Sequence, residues 1–387
     1  MATRRRLSAR ALAALLALII PLLAACGGQQ PTGGTSPTTA PAEEPAATTA
    51  PADEPAGGST GGAQPPFTIG VSNGFVGSEW RTQMIQDLQD VNAELMAAGL
   101  TNELVIESAD TDVPGQIQQI RNLINRGVDA IIINPNDVQA LNPVIKEAAD
   151  AGIIVIAVDQ EISAPEVINV VIDQTEWARI SARWLVEKLG GEGDVVVING
   201  IAGHPANEAR YAGVQEVFAE HPGINVLNVV NANWDQATGQ QRMADLLASQ
   251  PNIDGVWTQD GMASGALRAV MAANPAEWPV MVGEARIEYL RLWDEVRQTK
   301  PDFESFGVVN PPGIGASGLR IAVELLQGRQ FKEGALGGPY NNSLYVPIPG
   351  TVSAENFEEE LAKYQDAPQS YTLDGILTDE EAKAFFQ

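Results

Sequence analysis

FTIGVSNGFVGSEWR, residues 67–81, is the stretch on which the fold is read. Its opening is mostly apolar and reads as a buried strand. The chain then turns through Ser72, Asn73 and Gly74, and again at Gly77-Ser78, before an amphipathic helix. Ser78 suits the N-cap of that helix, and Glu79 suits its positive end. A strand, a polar turn and a helix N-terminus are how an open α/β sheet presents groups to a ligand. Trp80 and Arg81, an aromatic and a cation, sit at the helix start.

The same alternation runs on to about residue 329. Strand-like runs fall at 67–72, 104–108, 130–134, 153–158, 167–172, 195–199, 226–230, 255–258, 280–283 and 305–309. Helical stretches at 79–98, 113–126, 138–151, 176–189, 207–220, 236–249, 261–273, 287–298 and 314–327 separate most of them. Alternating β and α argue for right-handed crossovers and parallel sheets. One sheet of that many strands is large, so two doubly wound lobes fit the length better. No helix separates 158 from 167, which points to the crossover between lobes there. Beyond Tyr340, NNSLYVPIPGTV reads as extended. Helices at 354–364 and 378–386 follow, the last with Thr378 and Glu381 spaced as a capping box.

Residues 1–25 read as an export signal, with Arg4-Arg5-Arg6 ahead of an alanine-rich apolar run too short for a stable span. The signal ends LLAAC and resembles a bacterial lipobox, in which a lipid on the Cys26 sulfur holds the protein to a membrane. TRRRLS also carries a hint of twin-arginine export. Residues 26–66 hold no large apolar residue and are expected to form a disordered tether.

With 387 residues and 44% hydrophobic content, the chain supports one large or two medium domains. A formal net charge of −26 argues against nucleic-acid binding, since such a surface repels phosphate backbones. The single cysteine, Cys26, excludes an intrachain disulfide and a cysteine metal cluster. The two histidines, His204 and His221, are too few for a histidine-rich zinc site. Neither metal nor cofactor is expected.

Six segments, taken in order, carry a resemblance: VS…SEWR (71–81), RGVDAIIINP (126–135), IVIAVDQ (154–160), INGIAG…R…G (198–213), WTQDGMASGALRA (257–269) and VMVGE (280–284). Residues 67–329 resemble the periplasmic sugar-binding proteins of bacterial ABC transporters, in the ribose-binding-protein-like group. The body looks closest to a branch with a Trp-Arg pair at the first helix, as in galactofuranose-binding proteins. The resemblance implies a type I periplasmic binding protein fold: two doubly wound parallel-sheet α/β lobes joined by a three-strand hinge, with a monosaccharide or related polyol between them. The first lobe would comprise 67–172 and 310–343. The second would comprise 173–309 and 344–387, with an extended tail. The body would act as a monomer and serve ABC transporter permease subunits.

A sugar asks for planar groups that pair with its hydroxyls and for aromatic plates against its C–H faces. The family places an aromatic at Trp80 against the sugar. Arg81 and Glu79 are either ligand contacts or a charge pair at the helix start. Ser72 and Asn73 are contacts or turn formers. Asp159, a carboxylate just beyond a buried strand, is the strongest single signal. The family has Asp-Arg where this chain has Asp159-Gln160, so that second contact becomes neutral. Arg210 matches a family arginine that grips sugar oxygens, and Trp234 falls where the family has a stacking aromatic. Either Asp260 or Gln259 faces the ligand, with Asp260 preferred. Glu284 stands one place from a family acid, and Asn310 one place past a family glutamine. His204 reads as a loop histidine bordering the cleft. The expected function is binding without chemistry. A sensor or chemoreceptor partner would leave the same sequence, and a glycosidase using Asp159 with Asp260 or Glu284 is disfavoured by the family.

Overall fold

A computed structural model describes residues 64–250 and 252–387. The export signal, Cys26 and the tether up to residue 63 lie outside the described residues. The chain begins β1 (Ile69–Asn73), α1 (Glu79–Ala97), β2 (Val105–Ser108), α2 (Val113–Asn125), β3 (Ala130–Asn134), α3 (Asn142–Asp150), β4 (Ile154–Val158) and β5 (Val167–Val171). It continues α4 (Gln174–Lys188), β6 (Glu192–Asn199), α5 (Pro205–Ala219), β7 (Gly223–Asn231), α6 (Gln236–Ser249), β8 (Gly255–Thr258), α7 (Ala263–Ala273), β9 (Val280–Val282), α8 (Ile287–Thr299) and β10 (Ser305–Val308). It ends α9 (Ile314–Leu326), β11 (Ser343–Tyr345), β12 (Thr351–Val352), α10 (Phe357–Lys363) and α11 (Asp379–Lys383).

Two sheets result, in the orders β11-β5-β4-β3-β1-β2 and β12-β10-β9-β8-β6-β7. Every pairing is parallel except the antiparallel edge strand β12. The expected two-lobed α/β fold is what forms. The central strand β3 shows why: all five of its residues, AIIIN, are buried. Alternate side chains point to opposite faces, so Ile131 and Ile133 pack with Leu123 and Val144, while Ile132 packs with the cluster of Met84 and Leu319. A strand covered on both faces reads as a continuous apolar run, as a parallel sheet requires.

The gap between β4 and β5 is not the lobe crossover. The two strands are parallel neighbours in one sheet. Their connection lacks a helix because Asn169 pins the loop, accepting from Ile162 N at 2.8 Å and donating to Ile162 O at 3.2 Å. The lobes are instead joined after β5, after β10 and after β11. The last two connections pair with neighbouring hinge strands through Val309 N to Gly350 O at 2.9 Å and Val346 N to Val171 O at 2.9 Å.

The tail does not stay with the second lobe, as assigning 344–387 to it would require. Leu344 lies inside β11 of the first sheet. The chain then crosses to the second lobe, where Ile287 N donates to Tyr371 O at 3.0 Å and Leu373 N to Ala285 O at 2.8 Å. From there it returns, making a fourth crossing beside the three-strand hinge. Asp374 accepts from Gly313 N at 2.8 Å, Leu377 N donates to Ser317 Oγ at 3.0 Å, and Arg320 on α9 pairs with Asp379. The amide of Gln83 on α1 brackets Thr372, donating to its carbonyl and accepting from its N–H at 3.0 Å each. The expected capping box at Thr378 and Glu381 is present.

This strap places Asp374 against Asp87 of α1. Burial, and then the Asp374 charge, push the Asp87 carboxyl up to about 8. Asp374 is held by the backbone N–H groups of Gly313 and Gly375, so Asp87 keeps the proton. A carboxyl raised in the folded state contributes stability below its ordinary value near 3.8 and loses it as pH rises toward about 8. Asp87→Asn removes that titration. Urea unfolding at about pH 5 and about pH 8 should therefore show a smaller fall in stability for the variant than for the parent. Equal falls would contradict the assignment.

Candidate sugar-binding cleft

A cavity of about 710 Å³ opens between the lobes. The first lobe supplies Trp80, Arg81 and Asp159. Trp80 is 7% exposed, and its indole N–H donates to the hinge carbonyl of Asn310 at 2.8 Å. That bond fixes the ring at the hinge. Arg81 lies one residue on, its guanidinium 3.7 Å from Asp159 Oδ2 and donating to Asn73 Oδ1 at 3.2 Å. Burial lowers Arg81 to about 10, against the pull of Asp159, so it stays charged near neutrality. Asp159 caps β4 with φ 69°, in the left-handed region. Aspartate tolerates that conformation better than most residues, yet it costs energy. Burial pushes its carboxyl up, opposed by Arg81 and Arg210.

The second lobe supplies Arg210, Trp234 and Asp260. Arg210 is 2% exposed on α5 and lies 4.2 Å over the Trp177 ring. Its Nε donates to Gln174 Oε1 at 2.8 Å, and its Nη1 forms an ion pair with Asp260. The other Asp260 oxygen accepts from Asn310 Nδ2 at 2.9 Å. Trp234, at φ 54°, is more strained than Asp159, because a bulky residue is rare there. Its ring lies over Gly200, where an added Cβ would come within 2.2 Å. Its indole N–H donates to Gln259 at 2.9 Å. Trp80, Arg81, Asp159, Arg210, Trp234, Asp260 and Asn310 thus share one cavity.

Four expected site residues lie behind its wall. Ser72 is fully buried and donates to Gln119 Oε1 at 2.9 Å. Asn73 is spent on Arg81 and on Ser108 Oγ at 3.0 Å. Gln160 sits behind Asp159, where its amide, oriented by its neighbours, accepts from Arg81 Nη2 at 3.1 Å and donates to Pro135 O at 3.2 Å. Glu284 braces the loop that carries Asp260, accepting from Gly261 N and from Ser264 Oγ at 2.9 Å. Gln259, the alternative to Asp260, is likewise buried, linking Trp234 to Asn207.

Gln174 carried no sequence signal. It bridges the two charged pairs from the first crossing, with its Nε2 3.5 Å from Asp159 Oδ1. His204 is more than a bordering loop residue. It lines the cavity edge-on to Trp234 at 4.6 Å, and burial with both guanidiniums lowers it to about 3, so the imidazole is neutral. Phe75 and Arg286 line the cavity too.

Two glycine patterns borrow the look of catalytic loops. GVSNG at 70–74 has the spacing of a nucleophile elbow, but Ser72 is turned to Gln119 under α2. GIGASG at 313–318 has dinucleotide-loop spacing, yet its glycines serve packing: a Cβ at Gly315 would meet Met84 at 2.8 Å and one at Gly318 would meet Val158 at 2.6 Å. Among the described residues no cluster of histidine, cysteine, aspartate or glutamate could hold a metal ion. The cavity offers planar, charged hydrogen-bonding groups and indole faces, the complement of a polyhydroxylated ring.

The periplasmic binding protein domain matches residues 69–330. The chain belongs to that family. It is 34% identical over 234 residues to the xylitol-binding protein of Mycolicibacterium smegmatis, covering 59% of this chain and 65% of that one. It is 29% identical over 250 residues to the ribose import binding protein of Salmonella typhimurium, covering 62% and 80%. A solved ABC transporter solute binding protein from Thermobispora bispora superposes with a TM-score of 0.70 at 26% identity, covering 82% of this chain and 94% of that one. These periplasmic binding proteins are named for binding and import, not for catalysis. The family match ends at residue 330, before the tail strap. Among the described residues no helix is long and apolar enough to cross a membrane.

Proposed function

We propose that the protein captures a small sugar or polyol in the interlobe cleft and delivers it, as a monomer, to an ABC-type permease, held at the membrane by a lipid on Cys26. The observation that carries this reading is the pairing of Arg81 with Asp159 and of Arg210 with Asp260 around one cavity, with Trp80 and Trp234 beside them. Arg81 is oriented by Asn73 and Gln160 with Asp159 beside it, and Arg210 by Gln174 and Asp260 together. Each can then offer its remaining N–H groups to adjacent hydroxyls without losing side-chain freedom on binding. Gln174 ties the two pairs together, so a ligand that bridges them favours the closed form. The names of the xylitol-binding and ribose import relatives direct attention to five-carbon sugars and pentitols.

A thermal-shift panel of pentoses, pentitols and hexoses tests the reading. A ligand that binds only the folded protein stabilises it by about 2.7 kcal/mol at a hundredfold excess over Kd. At least one panel member should raise the melting temperature. Trp80→Ala should weaken binding of that member roughly tenfold, through lost ring contact and the lost tie to Asn310. A melt unmoved across the panel would sink the sugar reading.

A further inference from the structure

His204 stands where the two lobes meet. It directly precedes α5 of the second lobe, and its Nε2 lies 3.2 Å from the amide oxygen of Gln160, which follows β4 in the first lobe. That oxygen also accepts from Arg81 Nη2 at 3.1 Å, while the amide nitrogen donates to Pro135 O at 3.2 Å. Trp234 packs edge-on against the imidazole at 4.6 Å. The other ring nitrogen, Nδ1, is buried and has no hydrogen-bond partner.

This setting takes a neutral imidazole and rejects its cation. In the neutral form, Nε2–H donates to Gln160 and Nδ1 keeps a bare lone pair. The cation carries a second N–H on Nδ1, which would be buried without an acceptor. Arg81 on α1 and Arg210 on α5 both repel it. So does the positive end of α5. The carboxylates of the region are engaged elsewhere. Asp159 lies beside Arg81, and Asp260 is paired with Arg210. Glu161 accepts from Ser343 Oγ at 2.7 Å, and Glu208 on α5 accepts from Gly203 N at 2.8 Å. Parting the lobes takes Gln160 and Arg81 away from His204 and returns the ring to water.

We propose that His204 reads closure of the cleft: it docks on Gln160 only as the neutral imidazole, so that sugar capture expels a proton and weakens in acid. This rests on the sugar-binding reading above and adds regulation to the same site. The open form takes up a proton below the ordinary histidine value of 6.5, whereas the closed form resists it down to about 3. Between those values, a ligand that requires closure loses about tenfold in affinity per pH unit.

Calorimetric titration of the protein with xylitol, ribose and arabinose at about pH 7.5 and about pH 5.5 tests it. Any of the three that binds at the higher pH should bind roughly tenfold more weakly at the lower. Repeating the acid titration in buffers of different ionisation enthalpy should count about one proton released per ligand. His204→Gln, whose amide replaces Nε2 but does not titrate, should hold its affinity within about twofold across the same window. A pH dependence carried by Asp159 or Asp87 would survive that substitution, and its survival would overturn the proposal. A parent whose affinity is flat and which releases no proton would also overturn it, while leaving the sugar reading intact. The parent's proton count decides alone if the variant fails to fold. Binding of none of the three at either pH would overturn both readings.

Discussion

Arg210→Ala is expected to abolish sugar binding and to cost about 3–5 kcal/mol of stability. Arg210 is 2% exposed and serves Gln174, Asp260 and the Trp177 face together. Its removal strands Asp260, whose remaining partner is Asn310. Asp260 is half-buried on the cleft, and losing the cation that neutralises it, together with the buried guanidinium's own packing on Trp177, is among the more damaging single changes. It also removes the second lobe's grip on the ligand. Arg210→Lys separates the two effects. An ammonium can still neutralise Asp260, but it lacks the planar fork that reaches Gln174 at the same time. Stability should partly return while binding does not. Urea unfolding with parallel calorimetry reads both quantities. A variant that keeps both would show that Arg210 is a surface arginine in effect.

Asp159→Ala should weaken binding by more than about a hundredfold, since two charge-assisted hydrogen bonds are worth about 1.5–3 kcal/mol each. It also leaves Arg81 buried with only Asn73 and Gln160 as partners. Alanine is a poorer fit than aspartate at φ 69°, so the backbone contributes to the loss. Asp159→Asn settles this, because asparagine tolerates the same conformation and keeps the shape. If the asparagine variant binds like the parent, the charge of Asp159 is not what holds the ligand.

What was legible in the sequence was local. Strands such as AIIIN and IVIAV announce a sheet covered on both faces, and Asp159 stands out because a carboxylate follows such a run. Trp80 and Arg81 were legible because a polar turn and a helix N-terminus frame them. What was hidden depended on partners far along the chain. Ser72 and Asn73 read as contacts or turn formers at a strand end, but Gln119 and Ser108 draw them inward. Glu284 looked like a ligand group and instead holds the Gly261 loop. The tail's return depends on Gln83 and Gly313, neither of which leaves a periodic mark. The helix-free link between β4 and β5 is held by side chains from outside it, Asn169 on Ile162, Asn142 on Ser163 and Asn342 on Ala164.

The central claim is that a sugar is bound between the two arginine–carboxylate pairs. Calorimetric titration of the protein and of its Asp159→Asn variant with xylitol, ribose and arabinose, under identical conditions, tests it most directly. The account predicts saturable one-to-one binding of at least one of these to the parent, weakened by more than about tenfold in the variant. Saturable binding of equal affinity to both proteins, or none to the parent, would contradict it.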